Sequence, residues 1–188
     1  MHDIEPYDQW HYLYTSESDE RSPFYGREYS QFEFTNTIYN YYIHPLWDEF
    51  GSRTLYLKTL MADYEEHYVI LELIGEWNDA IENDIMRLKR EVIDEFLHHG
   101  ITKFILITEN VLNFHSSDDC YYQEWFEDVE DKSGWIAFLN MPPQSQHDFI
   151  KTRLTNYVEL IEYLPWRTLK PEVLFNQLDN AFLHRLDV

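Results

Sequence analysis

The sequence predicts a small α/β domain whose mixed, mostly parallel sheet begins with an antiparallel hairpin and has helices packed on it. Three observations predict it. Two β-prone segments at 54–61 and 68–76 are joined by a short polar turn. A helical stripe ending at Phe96 is closed by Gly100, and the almost uniformly apolar run 101–108 follows at once. A strand that is apolar throughout is covered on both faces, and strands alternating with helices imply right-handed crossovers and parallel pairing.

Residues 1–37 mix Tyr, Trp and Phe with the polar run 15–23 and hold no sustained period, so they are expected to form an arm, with 38–188 as a single α/β domain. Tyr7, Trp10, Tyr12, Tyr14, Phe24 and Tyr25 would pack this arm on the domain or on a second copy in a homodimer; its polar part is equally compatible with a free tail. The run 38–43, Ile-Tyr-Asn-Tyr-Tyr-Ile, is β-prone, and His44-Pro45 stops it. The hairpin 54–61/68–76 turns at Asp63-Tyr64-Glu65-Glu66. Asn78 or Asp79 is expected to cap the next helix, with Asp79 and Glu82 at capping-box spacing and Ile81, Ile85, Leu88, Val92 and Phe96 as its apolar stripe. After the strand at 101–108, residues 110–119 read as a loop and 120–129 as a short acidic, aromatic helix. Residues 135–141 form the next strand, ended by Pro142-Pro143. Pro143 suits the first turn of a helix with the stripe Ile150, Leu154, Tyr157, Val158 and Ile161, and a last helix starts at Pro171 with Leu174, Leu178, Ala181 and Phe182 on one side.

The chain has 188 residues, enough to bury a sizeable core without disulfides or structural metal. Lys and Arg number 14 against 35 Asp and Glu, a net charge of −21, which disfavours nucleic-acid backbone and anionic membrane as partners. No apolar run approaches the roughly 20 residues of a membrane helix. Cys120 is the single cysteine, so no intrachain disulfide forms, and the N-terminus lacks the basic and apolar regions of a secretory signal. A soluble cytoplasmic protein is the expectation. Aromatic residues make up 18% of the chain, too many for a disordered one.

The strand-Gly junction Val69-Ile70-Leu71-Glu72-Leu73-Ile74-Gly75, the strand Phe104-Ile105-Leu106-Ile107 followed by Asn110-Val111-Leu112-Asn113-Phe114, the unit Ile136-Ala137-Phe138-Leu139-Asn140-Met141-Pro142 and the stretch Lys170-Pro171-Glu172-Val173-Leu174 carry a resemblance. Over about residues 54–183 the chain resembles STAS domains, the sulfate-transporter and anti-sigma-factor-antagonist family, including their SpoIIAA-like members. The resemblance implies a non-enzymatic regulatory domain that binds a protein partner. In phosphorylatable members an Asp-Ser-Ser/Thr-Gly segment carries the phosphate. The corresponding segment here is His115-Ser116-Ser117-Asp118, which makes Ser116 the candidate phosphoacceptor. His115 and Asp118 depart from the pattern, and Asp118 and Asp119 would repel a phosphate. The bland alternative is that Ser116 or Ser117 caps the following helix.

No Gly-rich phosphate loop is present, so nucleotide chemistry lacks its usual handle. His98-His99 and His115 with Asp118 and Asp119 are the best local metal sets, but adjacent histidines at a helix end point apart, and no metal or other cofactor is expected. Cys120 would be activated by a helix N-terminus and deactivated by Asp118 and Asp119; a buried structural thiol is the expectation. Glu72, Glu76 and Asp79 near one strand end offer acid–base chemistry, against solvated surface as the plain reading. Tyr121, Tyr122, Trp125 and Phe126 on the acidic helix are the candidate interaction surface, suited to a basic partner. Two rival functions stand beside the binding reading: an enzyme with an acid/base site at the C-terminal edge of the sheet, and an acidic inhibitor imitating nucleic acid.

Overall fold

The computed structural model describes residues 4–30 and 32–186, with side chains as far as Leu183. A two-stranded antiparallel ribbon, β1 (Thr37–Ile38) and β2 (Tyr41–Tyr42), precedes the main sheet. That sheet has five strands in the order β3 (Leu55–Asp63), β4 (Tyr68–Asn78), β5 (Lys103–His115), β6 (Trp135–Leu139) and β7 (Glu159–Ile161). β3 and β4 are antiparallel and the other three pairings are parallel, as the hairpin and the alternating elements predict.

The two faces follow from the period of two along β4. Val69, Leu71 and Leu73 join one core with Ile85, Leu88, Val92, Phe96, Tyr122, Trp125, Val129 and Phe149 from the helices on that side. Those helices are α1 (Asp84–Leu88), α2 (Asp94–His98), α3 (Cys120–Glu130) and α4 (Pro143–Lys151), and a π-helical turn, Lys89–Ile93, links α1 to α2. Tyr68 and Ile70 point to the opposite core, which α5 (Pro171–Leu186) covers with Leu174, Phe175 and Leu178.

The arm packs on its own domain. Trp10 and Phe24 are buried, whereas Tyr12 and Tyr25 stay exposed. Tyr7, Trp10 and Trp166 meet edge to face, with ring centres 4.8–5.6 Å apart. The Trp10 indole N–H donates to the Leu169 carbonyl at 3.2 Å, and the Trp47 indole N–H donates to the Ile4 carbonyl at 2.8 Å. Beneath the arm, Glu72 on β4 is fully buried; it accepts the Tyr7 backbone N–H at 2.7 Å and pairs with Arg167 at 3.2 Å. The Arg167 fork also reaches Glu109 on β5.

Three expectations change. The helix after β4 starts at Asp84, because residues 78–83 form a turn in which Asn78 Oδ1 accepts the Ile81 N–H and Asn83 is left-handed at φ 54°. Ile81 is therefore 77% exposed rather than part of the stripe, and Glu82 pairs with Arg53 at 2.6 Å instead of closing a capping box. β5 runs through the first six of the ten residues of the expected loop 110–119, since β4 continues to Asn78 and offers a partner as far as His115. The helix after Pro143 stops at Lys151, where Arg153 turns left-handed at φ 62°, and 159–161 become β7. Val158 and Leu154 are buried but Ile150 is exposed, so those residues share no helical face.

Candidate functional site

β6 pairs with β5 only as far as Ile107↔Leu139, while β4 and β5 continue together to Asn78↔His115. The two central strands thus project past the sheet at their C-terminal ends and form a rim. α4 braces it: the Ser145 hydroxyl donates to the Val111 carbonyl at 2.8 Å and the Gln144 amide to the Leu112 carbonyl at 3.3 Å. The hairpin β1–β2 joins the rim from the other side, rooted by Ile38 and Ile43 in a cluster with Trp47, Tyr56 and Ile74. Its approach depends on Gly75, which sits at φ 122° and whose added Cβ would lie 2.0 Å from the Thr54 carbonyl oxygen and 2.9 Å from Ile38 Cδ1.

Glu76 gathers the rim. Its carboxylate accepts the Tyr39 hydroxyl at 2.6 Å and the Asn113 amide at 2.8 Å. Tyr39 is 65% exposed, Tyr41 56% and Leu112 49%, and Tyr42 is also exposed. Ser116 leaves the end of β5 half-buried, and Ser117, Asp118, Asp119 and Cys120 are exposed. Neither serine caps α3: its N-cap is Asp119, without a side-chain cap bond, while Asp118 Oδ1 accepts the Cys120 N–H at 3.2 Å. The Cys120 thiol is exposed, not buried as expected. Its hydrogen bond to Asp118 pushes the thiol's pKa up and pulls the carboxyl's down, so the protonated thiol is favoured.

Two buried carboxyls hold the rim from below. Asp79 Oδ1 accepts the Trp77 indole N–H and the Ile85 N–H, and Oδ2 accepts the Tyr122 hydroxyl, all at 2.8 Å. Burial nevertheless pushes Asp79 up to about 7, against the three donors. Asp84 accepts the Asn78 N–H at 2.8 Å, and its pKa is likewise raised by burial. Tyr122, sealed against Asp79, is driven well above the ordinary tyrosine value, again by burial first. The trio Glu72, Glu76 and Asp79 is therefore split. Glu76 lies at the rim, Asp79 under it, and Glu72 beneath the arm, where burial raises it to about 7. Solvated surface, the plain reading, fails for Glu72 and Asp79.

The aromatic surface expected on α3 is corrected as well. Tyr122 and Trp125 are fully buried in the core; Tyr121 is half-buried under Arg90 and Phe126 half-buried against Tyr157. Tyr122, Trp125 and Val129 are spaced three and four apart, a buried stripe that the acidic composition of the helix masks. Three exposed tyrosines, Tyr39, Tyr41 and Tyr42, lie together on the hairpin instead. Among the described residues, the histidine-centred metal sets are not gathered to ligand distance; one group, Asp94, Glu124 and Asp128, is. The buried Lys89 ammonium already serves those three acids, at 3.5 Å from Glu124, 2.8 Å from Asp128 and in direct contact with Asp94. No helix of the described residues is long and apolar enough to cross a membrane.

No protein-family model matches the chain, and no curated protein sequence matches it. Solved structures do. A putative anti-sigma factor antagonist from Thermotoga maritima is 20% identical, with 60% of this chain and 90% of that one covered at a TM-score of 0.45. The anti-sigma factor antagonist SpoIIAA in its unphosphorylated form is 15% identical, with 66% and 96% covered at 0.48. An anti-sigma factor antagonist from Mycobacterium paratuberculosis is 15% identical, with 60% and 91% covered at 0.44. At these scores the likeness carries no argument about function. Over about 60% of its length the chain is similar to these anti-sigma factor antagonists.

Proposed function

We propose that the chain is a regulatory, non-enzymatic protein-interaction domain of the cytoplasm that docks a protein partner on the rim made by β1–β2 and the ends of β4 and β5. The observation that carries this reading is the set of exposed Tyr39, Tyr41, Tyr42 and Leu112 held on a braced frame around Glu76. Exposed aromatics on a rigid base are the usual anchors of protein interfaces, and the acidic setting of Glu76, Asp118 and Asp119 favours a basic partner through electrostatic steering. The rival acid/base enzyme finds less support at this edge, because Asp79 and Asp84, the carboxyls there with raised pKa, are both buried. Affinity capture from the native host tests the reading. Replacing Tyr39 and Tyr41 together by Ser should weaken recovery of the partner by more than about tenfold, whereas Tyr121→Ser should leave it unchanged. Equal recovery by both variants would refute it.

Ser116 at the end of β5 is the modification point of this reading. A phosphate there would add charge beside Asp118 and Asp119 and alter docking on the same rim. Intact-mass measurement of protein from its host should show a phosphoform that the Ser116→Ala variant lacks, and persistent absence of that form across growth conditions removes this element.

A further inference from the structure

The rim does not end at β5. Gln144, in the first turn of α4, reaches the Leu112 carbonyl, and Gln146, two residues on, donates to the Glu162 carboxylate just beyond β7. Between them, past the C-terminal ends of β6 and β7, lies a pocket of about 470 Å3 walled by Met141, Pro142, Pro143, Leu164 and Pro165. Its outer wall is held under constraint. Asn140, left-handed at φ 56°, grips a turn at both ends: its N–H donates to the Ile161 carbonyl at 2.8 Å, its side-chain amide to the Leu164 carbonyl at 2.8 Å, and its Oδ1 accepts the Leu164 N–H at 2.9 Å. Glu162 and Tyr163, between the two gripped residues, are looped outward. Tyr163 takes φ 56° and is 88% exposed, a conformation that a bulky residue rarely adopts and a glycine would hold without strain. An aromatic ring is thus presented to solvent against the preference of its own backbone, as a contact anchor is.

Glu109 and Glu162 line the pocket, and no Lys or Arg does. Glu109 is neutralised by Arg167 from behind. Glu162 is exposed and takes its hydrogen bond from the neutral Gln146 amide, so among the described residues no cation compensates its charge. A planar guanidinium suits both groups on the turn, because it forks onto a carboxylate and stacks on an aromatic ring where an ammonium can only approach as a point charge. We propose that this pocket receives an arginine side chain of the docked partner, so that the docking surface runs from the hairpin across α4 to Tyr163; the inference rests on the partner-docking reading above.

Two probes of one shape test it: N-acetyl-arginine amide and N-acetyl-citrulline amide, titrated into the 15N-labelled full chain and followed at the side-chain amides of Asn140 and Gln146. The arginine probe should give saturable shifts at both groups and bind about fivefold more tightly than the neutral citrulline probe, the factor that one solvent-facing ion pair supplies. Glu162→Gln keeps an acceptor for Gln146 and should bring the arginine probe down to the citrulline level. Tyr163→Gly, relaxed at φ 56°, should weaken both probes and also lower recovery of the partner from the native host, whereas replacing Tyr39 and Tyr41 by Ser should leave probe binding unchanged. Equal binding of the two probes, shifts scattered over the acidic surface, or arginine binding that Glu162→Gln and Tyr163→Gly leave unchanged overturns the proposal, as does partner recovery indifferent to Tyr163→Gly. Recovery that falls with Tyr163→Gly but not with the Tyr39 and Tyr41 changes would overturn the rim and leave the arginine pocket standing.

Discussion

Replacing Asp79 by Asn tests whether a buried acid, rather than a surface one, holds the rim. The Asp79 carboxyl has an ordinary value of 3.8 in the unfolded chain and about 7 in the fold, because burial outweighs its three donors. Between those values the folded protein keeps a proton that the unfolded chain has released. Its contribution to stability is therefore complete below pH 3.8 and lost as the pH rises toward 7. One proton of difference costs ~1.4 kcal/mol per pH unit, so from pH 5 to pH 7 the wild type should lose ~2–3 kcal/mol through this group. The side-chain amide of the Asp79→Asn variant would have no proton to lose. Its Oδ1 can still accept from the Trp77 indole and the Ile85 N–H, and its NH2 group can donate to the Tyr122 oxygen. Urea unfolding of both proteins, followed by tryptophan fluorescence at pH 5, 6, 7 and 8, gives the difference between them at each pH. That difference should move in favour of Asp79→Asn by ~2–3 kcal/mol from pH 5 to pH 8. A constant difference across the range, or one that moves the other way, refutes the assignment of a proton to Asp79.

Gly75→Ala should cost ~3 kcal/mol or more, since its Cβ meets the Thr54 carbonyl oxygen at 2.0 Å in a left-handed backbone, whereas Gly26→Ala, at φ 73° with nothing within 4 Å, should cost only ~1 kcal/mol; urea midpoints compare them. Arg167→Met leaves Glu72 buried without its cation and should destabilise by ~2–3 kcal/mol at pH 8, below the figure for a wholly buried pair because Arg167 itself is half-exposed. At pH 5, where Glu72 with its value near 7 is protonated, most of that cost should vanish, and the same urea series reads it.

What was legible in the sequence is what short-range periodicity encodes. The run 101–108 reads as apolar because its strand is buried on both faces, and 68–76 reads as the second strand of a hairpin. The stripe Ile85, Leu88, Val92 and Phe96 survives a π-helical turn because three- and four-residue steps still keep those side chains inside. Beyond that reach the signal fails for physical reasons. β7 is a three-residue edge strand whose residues are all half-buried, so it has no apolar contrast to reveal it. Glu72 and Arg167 stand 95 positions apart, and no local pattern announces a pair closed only by the crossover through β7. On α3, acids at the exposed positions masked the spacing of Tyr122, Trp125 and Val129, a signal that was present. The hairpin tyrosines carry none, since Tyr39 takes φ 53° and the run 38–43 is broken into two short strands.

The buried acids also decide what the arm is. Asp48 lies buried at an isolated bridge to Leu57, accepts the Tyr29 hydroxyl at 2.6 Å and faces Lys58 at 3.5 Å, and Glu72 accepts from Tyr7. Each acid joins a segment before residue 37 to the sheet, so the −21 charge is divided between a solvated exterior and a few carboxyls that fasten the arm. A chain lacking residues 1–14 exposes this arrangement. Without Tyr7 over it, Glu72 should open to water and its value fall from about 7 toward 4.5, with Arg167 still beside it. Stability falls with Trp10 removed, but the sharper readout is the pH slope. The loss of ~1.4 kcal/mol per unit that Glu72 contributes between pH 5 and 7 should disappear from the truncated chain. If urea unfolding of that chain keeps the slope of the full one, the arm does not set the protonation of Glu72, and its contact with the sheet is packing alone.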